Sequence, residues 1–424
     1  MSNLATGATE LMLAMQTPTP KGYWGVPVLV WGTPGTGKST FIESLQRDGF
    51  PVYTMIASLH DPTDFNGLPA LHNGRMRFAP PEWVYLFEEH GQGILFLDEL
   101  TTAPPTVQAA LLRLVLERKV GAHSLPAGVR IVAAANPPDI AASGWELSPP
   151  LANRFVHLNW QLDGDTYRRA LEEGFAPPPA LTTDPERHAA RALFWKQLVA
   201  GFLKRNAGMA FTQPAEDEYA YATPRSWDFA IALMATCDLH GYAPRPGEQS
   251  PPNTQPFVNL VKGAVGSGAA TSFLQYLRQL RIPDPEAVLD GAAQVDPTLR
   301  EDELLVLFET MSHLLQKMSE DAKNEDAENK ERLKARTRRF LEAAQVVAHV
   351  RKADSIYTVF RRLIHGDEKK EGKSKSDEKP QEDKSGGWLQ RRSGEDEGLQ
   401  PILRELGQHY EELTGILERL KPKG

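Results

Sequence analysis

The chain has 424 residues, enough for two or three domains each with its own core. Its formal net charge is -8, with 24% charged and 41% hydrophobic residues. That mild acidity argues against general phosphate-backbone binding, and no stretch approaches the roughly 18 apolar residues of a spanning helix. Cys237 is the single cysteine, which excludes an intrachain disulfide and fits a reducing compartment. In "IALMATCDLHG" it reads as a small buried hydrophobe. The opening "MSNLATGATELMLAMQ" holds no Lys or Arg and makes a poor signal peptide, so a cytoplasmic location is expected.

In chain order, "VPVLVWG" (26–32), "VYTMIAS" (52–58), "GILFLDE" (93–99), "VRIVAAAN" (129–136) and "FVHLNW" (155–160) are β-rich. Several are apolar at consecutive positions, as expected of strands covered on both faces of a parallel sheet. "KSTFIESLQRDG" and "PPTVQAALLRLVLERK" are helix candidates between them, and this alternation predicts an open α/β sheet. Two segments read as hairpin insertions: "LPALHNGRMRF" (68–78), turning at Asn73-Gly74, and "ERKVGAHSLPAGVRIV", turning near Gly121. From about 186 to 290 the chain reads as helical around a Pro-rich loop, "YAPRPGEQSPPNTQP", and 301–365 is helical again. The run "GDEKKEGKSKSDEKPQEDKSGG" (366–387) is nearly free of apolar residues and reads as a flexible linker. Last, "LQPILRELGQHYEELTGILERL" (399–420) carries one apolar helix face, which either folds back on its own protein or docks a partner.

The chemistry sits in the α/β part. "GTPGTGKST" (32–40) fits G-x-x-x-x-G-K-[ST] between an apolar strand and a helix. In that pattern the backbone of Gly32, Thr33, Pro34, Gly35, Thr36 and Gly37 wraps phosphate oxygens, with Thr40 closing the stretch. Lys38 is expected to bridge the β- and γ-phosphates of ATP, and the Ser39 hydroxyl to ligate Mg2+. The strand in "GILFLDEL" delivers Asp98 and Glu99 to its carboxyl end, where open α/β sheets bind ligands. Asp98 is expected to hold Mg2+ together with Ser39, and Glu99 to polarise an attacking water. Asn136 ends the next strand and can touch γ-phosphate and water without adding charge. Arg154 in "LANRF" precedes its strand and so belongs at the opposite, amino edge of the sheet, within reach of a ligand held by another copy rather than its own. Arg168, Arg169 and the scattered histidines show no metal spacing.

The P-loop, "LDEL" with "TTAPPTVQAALL", "ANPP", "LANRF" and "TPRSW" together resemble the AAA+ ATPases, specifically the MoxR-like branch, over roughly residues 22–240. That resemblance implies an α/β P-loop core with a parallel sheet flanked by helices, followed by an all-α lid. Together with the patterning of the rest of the chain, the expected domains are 1–175 (core), 176–300 (lid), 301–365 (helical C-terminal extension), 366–398 (linker) and 399–424 (terminal helix), the last three lying outside the resemblance. The resemblance makes Asn136 the sensor-1 residue, Arg154 the arginine finger and Arg225 the sensor-2 arginine, a lid cation pairing with the γ-phosphate. The two hairpins match insertions that face substrate in related machines. The implied assembly is a homo-oligomeric ring, usually hexameric, using ATP hydrolysis to remodel a protein client, with von Willebrand factor A domain proteins as one client class. A nucleic-acid motor and an ATP-binding switch without turnover are the alternatives; the acidic balance argues against the first and the intact Asp98-Glu99 pair against the second.

Overall fold

The computed structural model describes residues 5–348 and Val359, apart from 66, 73–74, 138–139, 141–143, 215–217, 250–251 and 322–326. In chain order the elements are α1 (Ala8–Met15), β1 (Val28–Trp31), α2 (Lys38–Glu43), β2 (Val52–Ile56), β3 (Leu68–His72), β4 (Arg75–Ala79) and α3 (Glu82–His90). Then come β5 (Gln92–Asp98), α4 (Pro105–Glu117), β6 (Lys119–Val120), β7 (His123–Ser124), β8 (Gly128–Ala135), α5 (Pro149–Ala152) and β9 (Val156–Asn159). The rest is helical: α6 (Gly164–Glu173), α7 (Pro185–Arg205), α8 (Pro224–Leu239), α9 (Gln255–Val265), α10 (Ser267–Gln279), α11 (Pro285–Leu289), α12 (Glu301–Asp321) and α13 (Ala327–Ala348). The chain divides into two compact units between Leu280 and Arg281.

The first unit is built on a five-stranded parallel sheet in the order β2-β5-β8-β1-β9. The apolar runs become its strands because both faces are covered: β1 is buried throughout, and Ile94 to Leu97 of β5 are fully buried. On one face Leu95, Leu97, Ile131 and Ala133 pack against Trp83, Val84 and Phe87 of α3 and Val107, Leu111 and Leu114 of α4. Phe96 points the other way, with no solvent exposure, on an inner strand. Truncating it to Ala is expected to cost about 3–5 kcal/mol through lost burial and a residual cavity, read as a lower urea midpoint.

Both hairpins form. β3 pairs with β4 from Leu68–Ala79 to His72–Arg75, and β6 pairs with β7; the expected turn at Asn73-Gly74 lies outside the described residues. Arg118 and Arg130 are buried and take no carboxylate partner in the described hydrogen bonds. Arg118, left-handed at φ 55° as it leaves α4, donates to the carbonyls of Val129 (2.6 Å) and Gly25 (2.9 Å) and lies over the Tyr23 ring. It ties the segment before β1 to β8, and burial pulls its pKa down to about 9. Cys237 is fully buried, and burial, ahead of the nearby Glu10 and Asp238 charges, pushes its thiol pKa up, which fits an inert core residue.

The helix expected over 38–49 is shorter, ending at Glu43, because Arg47 and Phe50 pair as a bridge and reverse the chain through Gly49 (φ 69°). In the second unit the Phe308 and Phe340 rings meet edge to face at 5.6 Å between α12 and α13. Arg336 clamps Asp290 through two bonds of 2.7 and 2.8 Å, which holds that carboxyl below its usual pKa range. The expected linker (366–398) and terminal helix (399–424) lie outside the described residues. Among the described residues no helix is long and apolar enough to cross a membrane.

Candidate functional site

The register of the sheet decides what meets what. Trp31 pairs with Ala135, Leu97 with Ala133, and Ile56 with Asp98, so β1, β8 and β5 end together at the carboxyl edge. Asp98 closes β5, and Gly32, Asn136 and Glu99 follow the strand ends directly. At Gly32 a Cβ would stand 2.8 Å from the Trp160 carbonyl oxygen and 3.2 Å from Lys38 Cδ, so only glycine lets the loop leave the strand here. Gly35 and Gly37 have φ of 75° and 81°, the left-handed region open to glycine, which curls the loop back toward α2.

Within this loop Lys38 is buried, and its Nζ donates to the carbonyls of Gly32 (2.5 Å) and Thr33 (3.0 Å) and to Asn136 Oδ1 (3.2 Å). Burial lowers its pKa, and the Asp98 carboxylate works against that shift. Ser39 Oγ donates to Asp98 Oδ2 at 2.7 Å. Asp98 Oδ1 accepts the Glu99 N–H at 2.9 Å. Glu99 is exposed and left-handed (φ 54°, ψ 40°), a conformation that costs a non-glycine residue about 1–3 kcal/mol. Five residues expected to act together, Lys38, Ser39, Asp98, Glu99 and Asn136, therefore do share one edge. A cavity of about 690 Å³ opens at the same edge beside Trp31, Pro137 and Gln161, walled by Thr6 and Gly7 and by Lys262 and Ser267 of the helical region. Sequence reading gave no role to Thr6 or Gly7, which the Thr6–Gln161 bridge brings to the site.

The other two expected site residues lie elsewhere. Val156 of β9 pairs with Val28, the first residue of β1, so Arg154 stands at the amino edge. By register it lies beside residue 26, six residues from Gly32 along the strand direction, or about 20 Å at ~3.3 Å per residue. Its Nη1 donates to the Pro150 carbonyl (2.7 Å), and its Nε is buried with no hydrogen-bond partner. Arg225, on the first turn of α8, donates to Asn153 Oδ1 at 3.3 Å, one residue from Arg154. Burial lowers the Arg154 pKa, the Arg225 charge lowers it further, and Glu117 and Tyr221 oppose the shift. The structure thus brings Arg225 to Arg154 and not to Lys38, contrary to a lid cation reaching its own P-loop. The physical reason is that α8 is anchored by its N-cap, Thr223, to the turn before β9.

These features define an α/β nucleotide-binding domain with a P-loop at the carboxyl edge of a parallel sheet. Residues 27–155 match the family model of the AAA domain (dynein-related subfamily), and the parallel sheet with its P-loop has the α/β AAA+ fold. The match stops one residue past Arg154.

Among curated relatives, the Psp operon transcriptional activator of Escherichia coli is 35% identical over 130 residues, covering 26% of this chain and 37% of its own. The pathogenicity locus probable regulatory protein WtsA of Pantoea stewartii is 29% identical over 121 residues, covering 27% of this chain and 38% of its own. The chain thus spans well under half the length of these relatives. A crystal structure of a candidate ATPase from Cytophaga hutchinsonii covers 66% of this chain and 92% of its own, at 13% identity and a TM-score of 0.42.

Proposed function

We propose that this protein is a Mg2+-dependent ATPase of the MoxR-like AAA+ type that works as a ring on a protein client. One observation carries the reading: Lys38, Ser39, Asp98, Glu99 and Asn136 converge on the P-loop edge, while Arg154 and Arg225 sit together at the opposite edge. A subunit so built holds a triphosphate at one edge and offers cations at the other, and head-to-tail contact between such edges closes into a ring.

The donor set suits ATP and Mg2+. Mg2+ is held by one or two protein oxygens and completed by phosphate and water, and the adjoining Ser39 hydroxyl and Asp98 carboxylate offer two hard oxygens. Among the described residues no group of three or more His, Cys, Asp or Glu forms a closed metal cage, as an all-protein site would need. When bound, the ion would neutralise charge on the phosphates. Lys38 turns its ammonium from the Gly32 and Thr33 carbonyls to phosphate oxygens. Glu99 orients a water for in-line attack, and Asn136 holds that water against the terminal phosphate. Arg154 and Arg225 of a neighbouring subunit meet the charge that develops there.

The cavity beside Thr6, Gly7 and Gln161 has room for the nucleoside.

The direct test measures phosphate release from ATP by the full chain with and without EDTA, alongside Lys38→Met. The expected result is Mg2+-dependent turnover, at least about tenfold weaker nucleotide binding in the variant, and turnover that rises with protein concentration as subunits assemble. Turnover insensitive to EDTA and to Lys38→Met would place the activity elsewhere.

A further inference from the structure

The amino edge holds a residue whose geometry exceeds what packing requires. Asn153 leaves α5 between Ala152 and Arg154 and is 7% exposed. Its Oδ1 accepts from Thr223 Oγ1 (3.0 Å) and from Arg225 Nη1 (3.3 Å), and its Nδ2 donates to the Tyr221 carbonyl (3.3 Å). A guanidinium can only donate and a carbonyl can only accept, so the amide has one orientation and cannot be flipped. One side chain therefore bonds to three positions of the segment that starts α8: Tyr221, the N-cap Thr223, and Arg225 in the first turn.

The same turn is tied a second time, where the Tyr221 hydroxyl donates to the Pro149 carbonyl at 3.1 Å. Arg154 follows Asn153 directly and bonds back to Pro150. The two arginines, 71 positions apart in sequence, are thus held at one joint between the sheet's amino edge and the helical region.

The chemistry of the joint matters as much as its place. Two guanidinium groups side by side repel, and something must hold Arg225 there. A neutral amide oxygen does so without an ion pair, leaving the charge free for an anion. The joint borders a cavity of about 580 Å³, also lined by Lys21, Tyr23 and Arg118. Asn153 thus fixes the spacing of the pair, and a shift of about 1 Å in such a group can cost about a hundredfold in rate.

We infer that Asn153 is a positioning residue for ATP turnover: it sets Arg154 and Arg225 as one two-armed cation presented to the nucleotide of a neighbouring subunit. This rests on the ring ATPase reading above. Because the pair serves a neighbour, loss of Asn153 harms the subunit as donor of cations and leaves its own nucleotide site sound.

The experiment uses the full chain and measures steady-state hydrolysis, ATP KM and thermal melting. Asn153→Ala is expected to lower kcat about tenfold to hundredfold with KM for ATP unchanged. Asn153→Asp keeps an oxygen for Thr223 and Arg225 but pairs with the Arg225 charge and loses the donor to the Tyr221 carbonyl, and it is expected to lower kcat at least about tenfold with KM for ATP unchanged. Turnover in the Asn153→Ala protein should rise when it is mixed with Glu99→Gln, whose amino edge is intact. It should not rise when the added protein carries both substitutions. If Asn153→Ala does not fold, Asn153→Ser, which keeps a polar group near Thr223 but falls short of Arg225, carries the same expectation.

Wild-type kcat in the Ala or Ser variant, while Arg154→Ala is inactive, would overturn the positioning role and leave the ATPase reading standing. Loss of activity with a raised KM and no rescue on mixing would reduce Asn153 to a structural part. Equal turnover in wild type and Arg154→Ala would overturn the ring reading beneath it.

Discussion

Glu99→Gln is expected to bind ATP as tightly as the wild type while phosphate release falls by about 10²–10⁴-fold, the usual contribution of a positioned general base. The substitution keeps shape and removes only the basic oxygen. Nothing that shapes the P-loop depends on that carboxylate: Lys38 is held by Gly32, Thr33 and Asn136, and Ser39 by Asp98. The backbone of Glu99 is fixed independently, its N–H by Asp98 Oδ1 (2.9 Å) and its carbonyl by Thr102 Oγ1 (2.7 Å) and Thr102 N (2.9 Å). Those three bonds sustain the left-handed conformation that turns the side chain out of the strand line and into solvent at the carboxyl edge. A fluorescent ATP analogue reads binding and a phosphate-release assay reads turnover. Hydrolysis near the wild-type rate would remove Glu99 from the chemistry, and weaker binding would assign it to the phosphate cradle.

The carboxyl edge was legible in the sequence for a physical reason. "GILFLDE" and "VRIVAAAN" are apolar because their strands are covered on both faces, and a polar residue just past such a run must lie at a strand end. Asp98, Glu99 and Asn136 follow from that logic, and the P-loop from its glycines. The amino edge was only half legible. Arg154 could be placed because it precedes a strand, but the partner of Arg225 depended on where α8 docks. That docking is set by tertiary bonds from Asn153 to Tyr221, Thr223 and Arg225, and no periodicity records them.

Short elements were hidden for the same reason. α1 is buried almost all round, so the 3.6-residue alternation that reveals a surface helix is absent from it. α5 is a single turn that opens on Pro149 and Pro150 and is capped by Asn153, and it reads as loop in isolation. Neither has a local signal; both are fixed by what they pack against.

Arg154→Ala is expected to leave ATP binding unchanged and to lower turnover about 10³–10⁵-fold, the range over which an arginine supplied to a transferring phosphoryl group acts. The magnitude follows from its place. A guanidinium offers five N–H donors, and the described bonds of Arg154 use Nη1 for the Pro150 carbonyl while Nε is buried without a partner. Nη2 takes part in none of the described bonds and is the donor left to meet an incoming anion. Its own nucleotide is about 20 Å away across the sheet and cannot be that anion.

A mixture separates the two edges. Arg154→Ala contributes a sound P-loop with Glu99, and Glu99→Gln contributes a sound amino edge with Arg154. Neither turns over alone, yet an interface pairing the first protein's P-loop with the second protein's arginine holds every group the reaction uses. Turnover reappearing on mixing, and rising with the fraction of such interfaces, requires the two residues to act on one nucleotide from different chains. Full activity in Arg154→Ala by itself would return the residue to a local role at the end of α5.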